Sequence, residues 1–234
     1  VEEGDLFADP AVDAYIDNTL GVIGMSHLVR PDKTTYIKTT VGASTTQNNY
    51  YQDNLLKDNG GQTVGKFRAT NVETADSRYT LSSVVNKKFN ARWNLRAGYL
   101  GELYHADFLY NDRDNRAEIP DENNDDIPDY FIPVRNVSEY YLLSRVFGQA
   151  EYKLTDNLST TFGVSTQYLG LSERFSVEPR AAVSDQFTPI QRINLAYGLH
   201  SQMAPSPILF LQEETSHGVF ERTNKNLDFI KSHH

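Results

Sequence analysis

The sequence predicts an all-β protein, an antiparallel meander of long strands that is part of a transmembrane β-barrel. Three observations predict this fold. Apolar and polar side chains alternate with a period of two, the alternating runs are long, and aromatic residues stand near the ends of the apolar faces. Strands of soluble sandwiches are usually about 5–6 residues long, whereas the runs within 138–202 reach about a dozen residues.

The alternation is clearest in residues 158–168 and 192–202. In both runs every second side chain is mostly apolar, and the side chains between them are small or polar. One face therefore suits an apolar solvent and the other suits water. The residues expected to point outward together are Leu158, Phe162, Val164, Ile193, Leu195 and Leu199.

The aromatic spacing favours a membrane over a soluble core. Tyr140 and Tyr152 share the apolar face, twelve positions apart. At about 3.3 Å per residue and a tilt near 45°, this spacing covers a height of roughly 28 Å. A transmembrane barrel has an apolar band about 25 Å tall between two aromatic girdles. Trp93 follows the tight connection 89–91, where a girdle residue is expected.

The first part of the chain predicts two strands between loops. The acidic residues 1–19 are expected to be a loop. Strands follow at 20–30 and 34–46, separated by a short turn in which Pro31 sets φ. Residues 47–75 are expected to form a long loop, because they are rich in Asn, Gln, Gly and Asp, which are depleted in strands.

The rest of the chain predicts seven more strands, for a total of about nine. A second long, acidic loop is expected at 111–137, and another loop at 203–216 precedes a last strand near residue 217 or later. Short turns alternate with longer connections, as in outer-membrane barrels. The other six strands are expected at 78–88, 92–110, 138–154, 158–168, 176–187 and 192–203.

Two segments resemble a known family. Residues 177–187 (VEPRAAVSDQF) and 193–205 (INLAYGLHSQMAP) resemble the barrel of TonB-dependent outer-membrane receptors. They are most similar to receptors whose precursors carry a carboxypeptidase-regulatory-like domain before the plug. The resemblance extends from about residue 9 to the C-terminus. Asp185 on the apolar face and Leu209 depart from it, since an aromatic residue and Tyr are usual there.

The resemblance implies active import across a bacterial outer membrane and no enzymatic activity. The substrate would be a scarce nutrient: a ferric siderophore, haem, cobalamin, an oligosaccharide or a peptide. The implied partners are outer-membrane lipid, the rest of the barrel and its plug, a periplasmic TonB protein that couples energy through the plug, and the substrate itself.

We expect residues 1–234 to be one partial outer-membrane barrel domain without the plug. About nine strands do not make the roughly 22-stranded plugged barrel of an outer-membrane transporter. The sequence therefore predicts a piece of a longer protein.

Composition excludes several other classes. The net charge of −9 argues against nucleic acid, which requires a basic patch. The chain has no Cys, which excludes disulfides and thiolate metal sites. No apolar run approaches the 18 residues of a transmembrane helix.

The polar face supplies the candidate binding residues. On this face the charged and amide side chains solvate the wall of a lumen, contact a plug or contact substrate. No residue is predicted to be catalytic. The lumen-facing candidates are Arg180, Arg192, Asn194, His200 and Gln202.

The acidic loop contains a candidate calcium site. Asp121, Asn123, Asp125 and Asp129 offer oxygen ligands of the type that Ca²⁺ binds. The EF-hand pattern is incomplete, because Asp126 stands where its Gly is needed. A solvated acidic loop is the alternative, and Ca²⁺ is the one cofactor that the sequence raises.

Two other functions stay open at this point. The chain could be a soluble β-sandwich binding module with the calcium loop. In that case Phe162 and Leu195 would lie between two packed sheets. It could also be a small complete barrel with a structural or adhesive role, which requires the first and last strands to pair.

Overall fold

The structure is a computed structural model that describes residues 11–113, 122, 127, 129–216 and 219–234. Strands make up almost all of it. They are β1 (Val12–Asp32), β2 (Thr35–Lys57), β3 (Thr63–Lys88), β4 (Trp93–Asp112), β5 (Ile132–Lys153), β6 (Leu158–Leu169), β7 (Arg174–Thr188), β8 (Gln191–Gln202), β9 (Gln212–Ser216), β10 (Val219–Arg222) and β11 (Ile230–His233), with one short helix, α1 (Ser206–Leu209).

The sheet confirms the predicted all-β antiparallel meander. Nine strands form one sheet in the order β1 to β8, followed by β11, and each strand is antiparallel to its neighbours. Strands β9 and β10 form a separate hairpin. The short turns lie where the sequence predicts them. In the first of these turns Asp32 accepts hydrogen bonds from the backbone N–H of Thr34 at 2.7 Å and from Lys87 at 2.9 Å.

The expected loop at 47–75 is wrong. β2 continues to Lys57 and β3 begins at Thr63, so only a tight turn lies between them. The expected loop at 1–19 is also wrong from Val12 onward, where β1 begins. Depletion of Asn and Gln in strands reflects side-chain packing on half-buried surfaces. That preference is outweighed in β2, which pairs along this stretch with a strand on each side, β1 and β3.

The apolar face is the side of the sheet that carries Phe162, Val164 and Leu195. Phe162 is 58% exposed and Leu195 is 70% exposed. The register places Val183 beside Leu195, and Asp185 beside Ile193, on the same face. The described residues form no second sheet over this face, so the two-sheet core of the soluble-sandwich alternative is not present among them.

Paired aromatic rings mark both ends of the apolar face. At the short-turn end, Trp93 and Tyr152 have ring centroids 4.5 Å apart. At the other end, Tyr168 and Phe175 lie 4.6 Å apart, and His105 stacks on Tyr140 at 4.2 Å. The exposed apolar side chains therefore lie between two aromatic rows, as a girdled band requires.

The polar face is the opposite side of the sheet, which carries Ser165, Gln167 and Glu178. Part of it is covered by residues 203–216 and 219–229, the covering segment. Leu209 is 1% exposed and Phe210 is fully buried against Phe108 and Tyr141. Tyr141 also shares a 2.7 Å hydrogen bond with Ser206.

This packing changes the surroundings of two residues of β5. Its alternation places Tyr141 and Leu143 on the face that suits water, yet both are buried. They belong to an apolar cluster that the covering segment completes. The side chains share a face as predicted, but a distant part of the chain removes the water from it.

The two edges of the sheet are β1 and β11, and these strands do not pair with each other in the described part of the chain. The small complete barrel therefore lacks the pairing that it requires. Among the described residues, no helix is long and apolar enough to cross a membrane.

Candidate functional site

A hydrogen-bonded network joins β5 to β8 on the polar face. Its centre is Glu178, which is 3% exposed. The carboxylate accepts hydrogen bonds from Gln167 and Ser201, and Arg180 lies 3.6 Å from its second oxygen. Arg145 donates to Gln167 at 2.8 Å. Because the buried charge has partners on several sides, the network stiffens this part of the sheet.

The register places the predicted lumen residues as follows. Arg180 lies opposite Gly198, and Asn194 lies opposite Ser184, on the face of Glu178. Arg192 donates to Gln186 at 2.9 Å. The ring of His200 lies 5.2 Å from that of His234. Gln202 is exposed and lies opposite Ile230, while the side chain of the preceding Ser201 reaches Glu178.

Two of these residues share a cavity. Arg180 and His200, with His234, line a space of about 420 Å³ that extends across β5 to β8. Glycines leave room for both side chains. A Cβ at Gly163 would lie 3.0 Å from Cγ of Arg180, and a Cβ at Gly198 would lie 2.9 Å from Nε2 of His200. The structure therefore brings two of the five predicted residues into one site.

A second cavity, of about 360 Å³, lies on the polar face of β2 to β5, and Pro207 of the covering segment forms one wall. We call it the arginine cavity, because Arg78 and Arg135 line it together with Asp76, Tyr104 and Phe108.

The two arginines of this cavity differ in their partners. Arg78 lies 3.4 Å from Glu102. Nε of Arg135 is buried and has no hydrogen-bond partner among the described residues. Burial lowers the pKa of the Arg135 guanidinium below its usual value, although it stays charged near neutral pH. Among the described residues, the cavity therefore contains one guanidinium, that of Arg135, with a buried N–H group that has no acceptor.

Apart from Arg180, the residues of the network and of the arginine cavity were not predicted from the sequence. Arg78, Arg135 and Glu178 lie on three different strands, and each looks like an ordinary polar-face residue in its own run. Their proximity depends on strand register and on the covering segment. One pattern in the sequence pointed to these residues. Charged side chains are frequent at even-numbered positions of β3 and at odd-numbered positions of β5.

The calcium prediction falls mostly outside the described residues. Asp121, Asn123 and Asp125 are not among them. Asp129 is described, and its carboxylate accepts a 2.7 Å hydrogen bond from the backbone N–H of Glu122. Among the described residues, no group of three or more His, Asp or Glu side chains is close enough to hold a metal ion. The site therefore stays a prediction.

The fold and the polar face together define a class: an antiparallel β-meander with an exposed apolar face and a polar, cavity-bearing face. Solved structures share this fold. One is of the RagAB peptide importer in the 'closed-closed' state, with a TM-score of 0.63 and 11% identity over 95% of this chain. Another, of the RagAB peptide transporter, has a TM-score of 0.61 and 11% identity over 96% of it.

These likenesses concern the fold, and they are partial. This chain covers 28% of each of those transporter chains. No family model matches the sequence, and no curated protein matches it.

Proposed function

We propose that this chain forms part of the wall of a bacterial outer-membrane transporter that imports a nutrient. The observation that carries the proposal is the exposed apolar face between two aromatic rows. Leu195 and Phe162 expose more than half of their surface, which in water costs about 25 cal/mol for each Å² of apolar area left uncovered. Lipid on this side of the sheet removes that cost, and a water-filled lumen on the other side accounts for the polar residues of the opposite face.

The likeness to importer structures supports transport rather than catalysis. The resemblance of 177–187 and 193–205 to TonB-dependent receptors supports energy coupling through a plug and a periplasmic TonB protein. Residues of the polar face, including Arg180, Arg192, Asn194, His200 and Gln202, then face the path of the substrate. Among the substrate classes of such receptors, the similar structures favour a peptide.

Single-cysteine labelling tests the membrane position of the sheet. The chain has no Cys, so each introduced thiol is unique. A polarity-sensitive dye on Leu195→Cys should report an apolar environment in lipid vesicles, and the same dye on the neighbouring Asn194→Cys should report water. Phe162→Cys and Thr161→Cys form a second matched pair.

The decisive result is whether the dye signal alternates from one residue to the next. A signal that switches between apolar and aqueous at successive positions supports a sheet with lipid on one side. Equal signals at positions 194 and 195 overturn the proposal, since only a sheet with water on both faces gives no alternation. A packed soluble core would alternate as well, so a quencher attached to the lipid chains must quench the dye at position 195 and not at position 194.

A further inference from the structure

In the arginine cavity, Nε of Arg135 is buried and has no hydrogen-bond partner in the described part of the chain. Asp76 lines the same cavity, but no ion pair joins its carboxylate to Arg135 in the described part of the chain. A partly buried guanidinium without a hydrogen-bonding anion is unfavourable, because it has lost water without a replacement. A bound anion would supply the missing partner.

The geometry of a guanidinium specifies the anion. Its planar N–H groups match the two oxygens of a carboxylate, and such bidentate pairs are among the stronger hydrogen bonds in proteins. Asp76 and Glu102 add negative charge around the other arginine, Arg78. A group with a single negative charge is therefore favoured over a doubly charged one.

The remaining walls specify what the carboxylate is attached to. Phe108 is 2% exposed, and Tyr104 stacks on Tyr141 with ring centroids 4.9 Å apart. These rings give the cavity an apolar side next to the cation. Its volume of about 360 Å³ is at the small end of the range for ligand sites.

We propose that the arginine cavity binds an organic monocarboxylate, with Arg135 holding the carboxylate and Tyr104 and Phe108 contacting an attached apolar group. A peptide C-terminus and a sugar acid both carry this chemistry. The biological role of this site rests on the proposed function, in which the substrate passes the polar face of the sheet. The binding itself needs neither transport nor an energy source.

Because the isolated chain has open sheet edges, calorimetry on the detergent-purified transporter of which it is proposed to be part tests the site with three probes. N-acetyl-phenylalanine carries the carboxylate and an aromatic ring, and its amide is the neutral match. We expect the acid to bind at least about tenfold more tightly than the amide, as one charge-assisted pair predicts. Glucuronate distinguishes the two sources of the carboxylate. Glucuronate binding as tight as that of N-acetyl-phenylalanine supports a sugar acid as the ligand, and weaker binding supports a peptide C-terminus.

Variants assign the binding to Arg135. Arg135→Gln should reduce acid binding to the level of the amide, and Arg135→Lys should recover part of it. Arg30→Gln, an exposed arginine of β1 near a short turn, is the control and should change nothing.

Equal affinity of the acid and the amide for the unmodified protein overturns the proposal, as does full acid binding by Arg135→Gln. If Arg135→Gln loses both ligands because the cavity collapses, the acid-to-amide ratio on the unmodified protein decides. In a mixed outcome, the acid binds more tightly than the amide while the cysteine labelling shows no lipid-facing positions. That combination would support the carboxylate site and contradict the proposed transporter function.

Discussion

At the residue scale, Asp53 shows how the long strands hold together in water. Its side chain is 7% exposed and is paired with Arg68 and with Lys66, whose Nζ lies 3.2 Å from the carboxylate. Burial raises the pKa of Asp53, but hydrogen bonds and charges from Arg68 and Lys66 outweigh burial and lower it overall. The ion pairs therefore tie β2 to β3 next to their turn.

Replacing Asp53 with Asn should destabilise this end of the sheet by about 1–3 kcal/mol near neutral pH, because two cations lose their charged partner. The wild-type advantage should be full above about pH 4. It should be lost as the pH falls below that value, because the unfolded chain binds the proton more readily than the folded one.

The measurement is the free energy of local opening of β2 and β3 by amide hydrogen exchange as a function of pH. Asp156→Asn, in the exposed turn between β5 and β6, is the matched control and should leave that profile unchanged. A constant difference between wild type and Asp53→Asn down to pH 2 would contradict the assignment.

At the element scale, two glycines on adjacent strands have different surroundings. A Cβ added at Gly98 of β4 would lie 2.8 Å from the ring of Phe147 and 2.8 Å from the carbonyl oxygen of Ser83. A Cβ added at Gly148 of β5 would meet nothing within 4 Å.

Gly98→Ala should therefore destabilise the sheet by about 1–3 kcal/mol through overpacking. Gly148→Ala should be neutral or stabilise it by up to about 1 kcal/mol, because it removes backbone freedom from the unfolded chain. Denaturant unfolding in lipid vesicles, followed by Trp93 fluorescence, measures both. Equal effects of the two variants would show that the strands separate enough to accommodate either methyl group.

The main aromatic anchor of the covering segment is Phe210, and Phe229, which is 5% exposed, is a second buried ring of the same segment. Phe210 is fully buried, and the guanidinium carbon of Arg222 lies 4.4 Å from the centroid of the Phe210 ring. Arg222 also pairs with Glu139 of β5 at 2.8 Å. The segment thus docks through an apolar contact with an ion pair at its edge.

Phe210→Ala should lower the free energy of opening of residues 204–229 by about 3–5 kcal/mol, as for other buried aromatics. Ile208→Ala is the matched control, because Ile208 lies in α1 two residues before Phe210 and is 48% exposed. It should cost less than about 1 kcal/mol. Hydrogen exchange read by mass spectrometry resolves the segment, and equal exchange in both variants would rule out Phe210 as the anchor.

The sequence predicts β6, β7 and β8 to within a few residues, because one face of each is apolar and the alternation is regular. It fails at 47–75, where Asn and Gln on both faces remove the alternation that marks a strand. The environments of Tyr141 and Arg135 could not be predicted from the sequence, for another reason. Their surroundings come from the covering segment, whose contacts with β5 no local pattern records.

At the scale of the whole molecule, the sheet has two open edges. β1 is a strand of 21 residues and pairs only with β2 in the described part of the chain. Unpaired N–H and C=O groups cost several kcal/mol each in lipid, so such edges do not occur there. In the proposed transporter, other strands must cover them.

The isolated chain of 234 residues should therefore aggregate in water and fold poorly in detergent. Sedimentation velocity and thermal unfolding measure this. The control is the same chain refolded with the additional strands of the protein that carries it, which should remain monodisperse. A monodisperse monomer of the isolated chain with a sharp thermal transition would contradict the fragment interpretation and favour a small self-contained protein.

The strands differ in length across the sheet, since β2 has 23 residues and β3 has 26, while β6 and β8 have 12 each. The short turns are at a common end, so the extra length lies at the other end and gives the sheet a stepped rim. About ten additional residues raise one side by roughly 20–30 Å. In the proposed membrane orientation, antibodies and surface proteases would reach this chain mainly on that tall side, around residues 47–75, while β6 and β8 would end near the lipid headgroups.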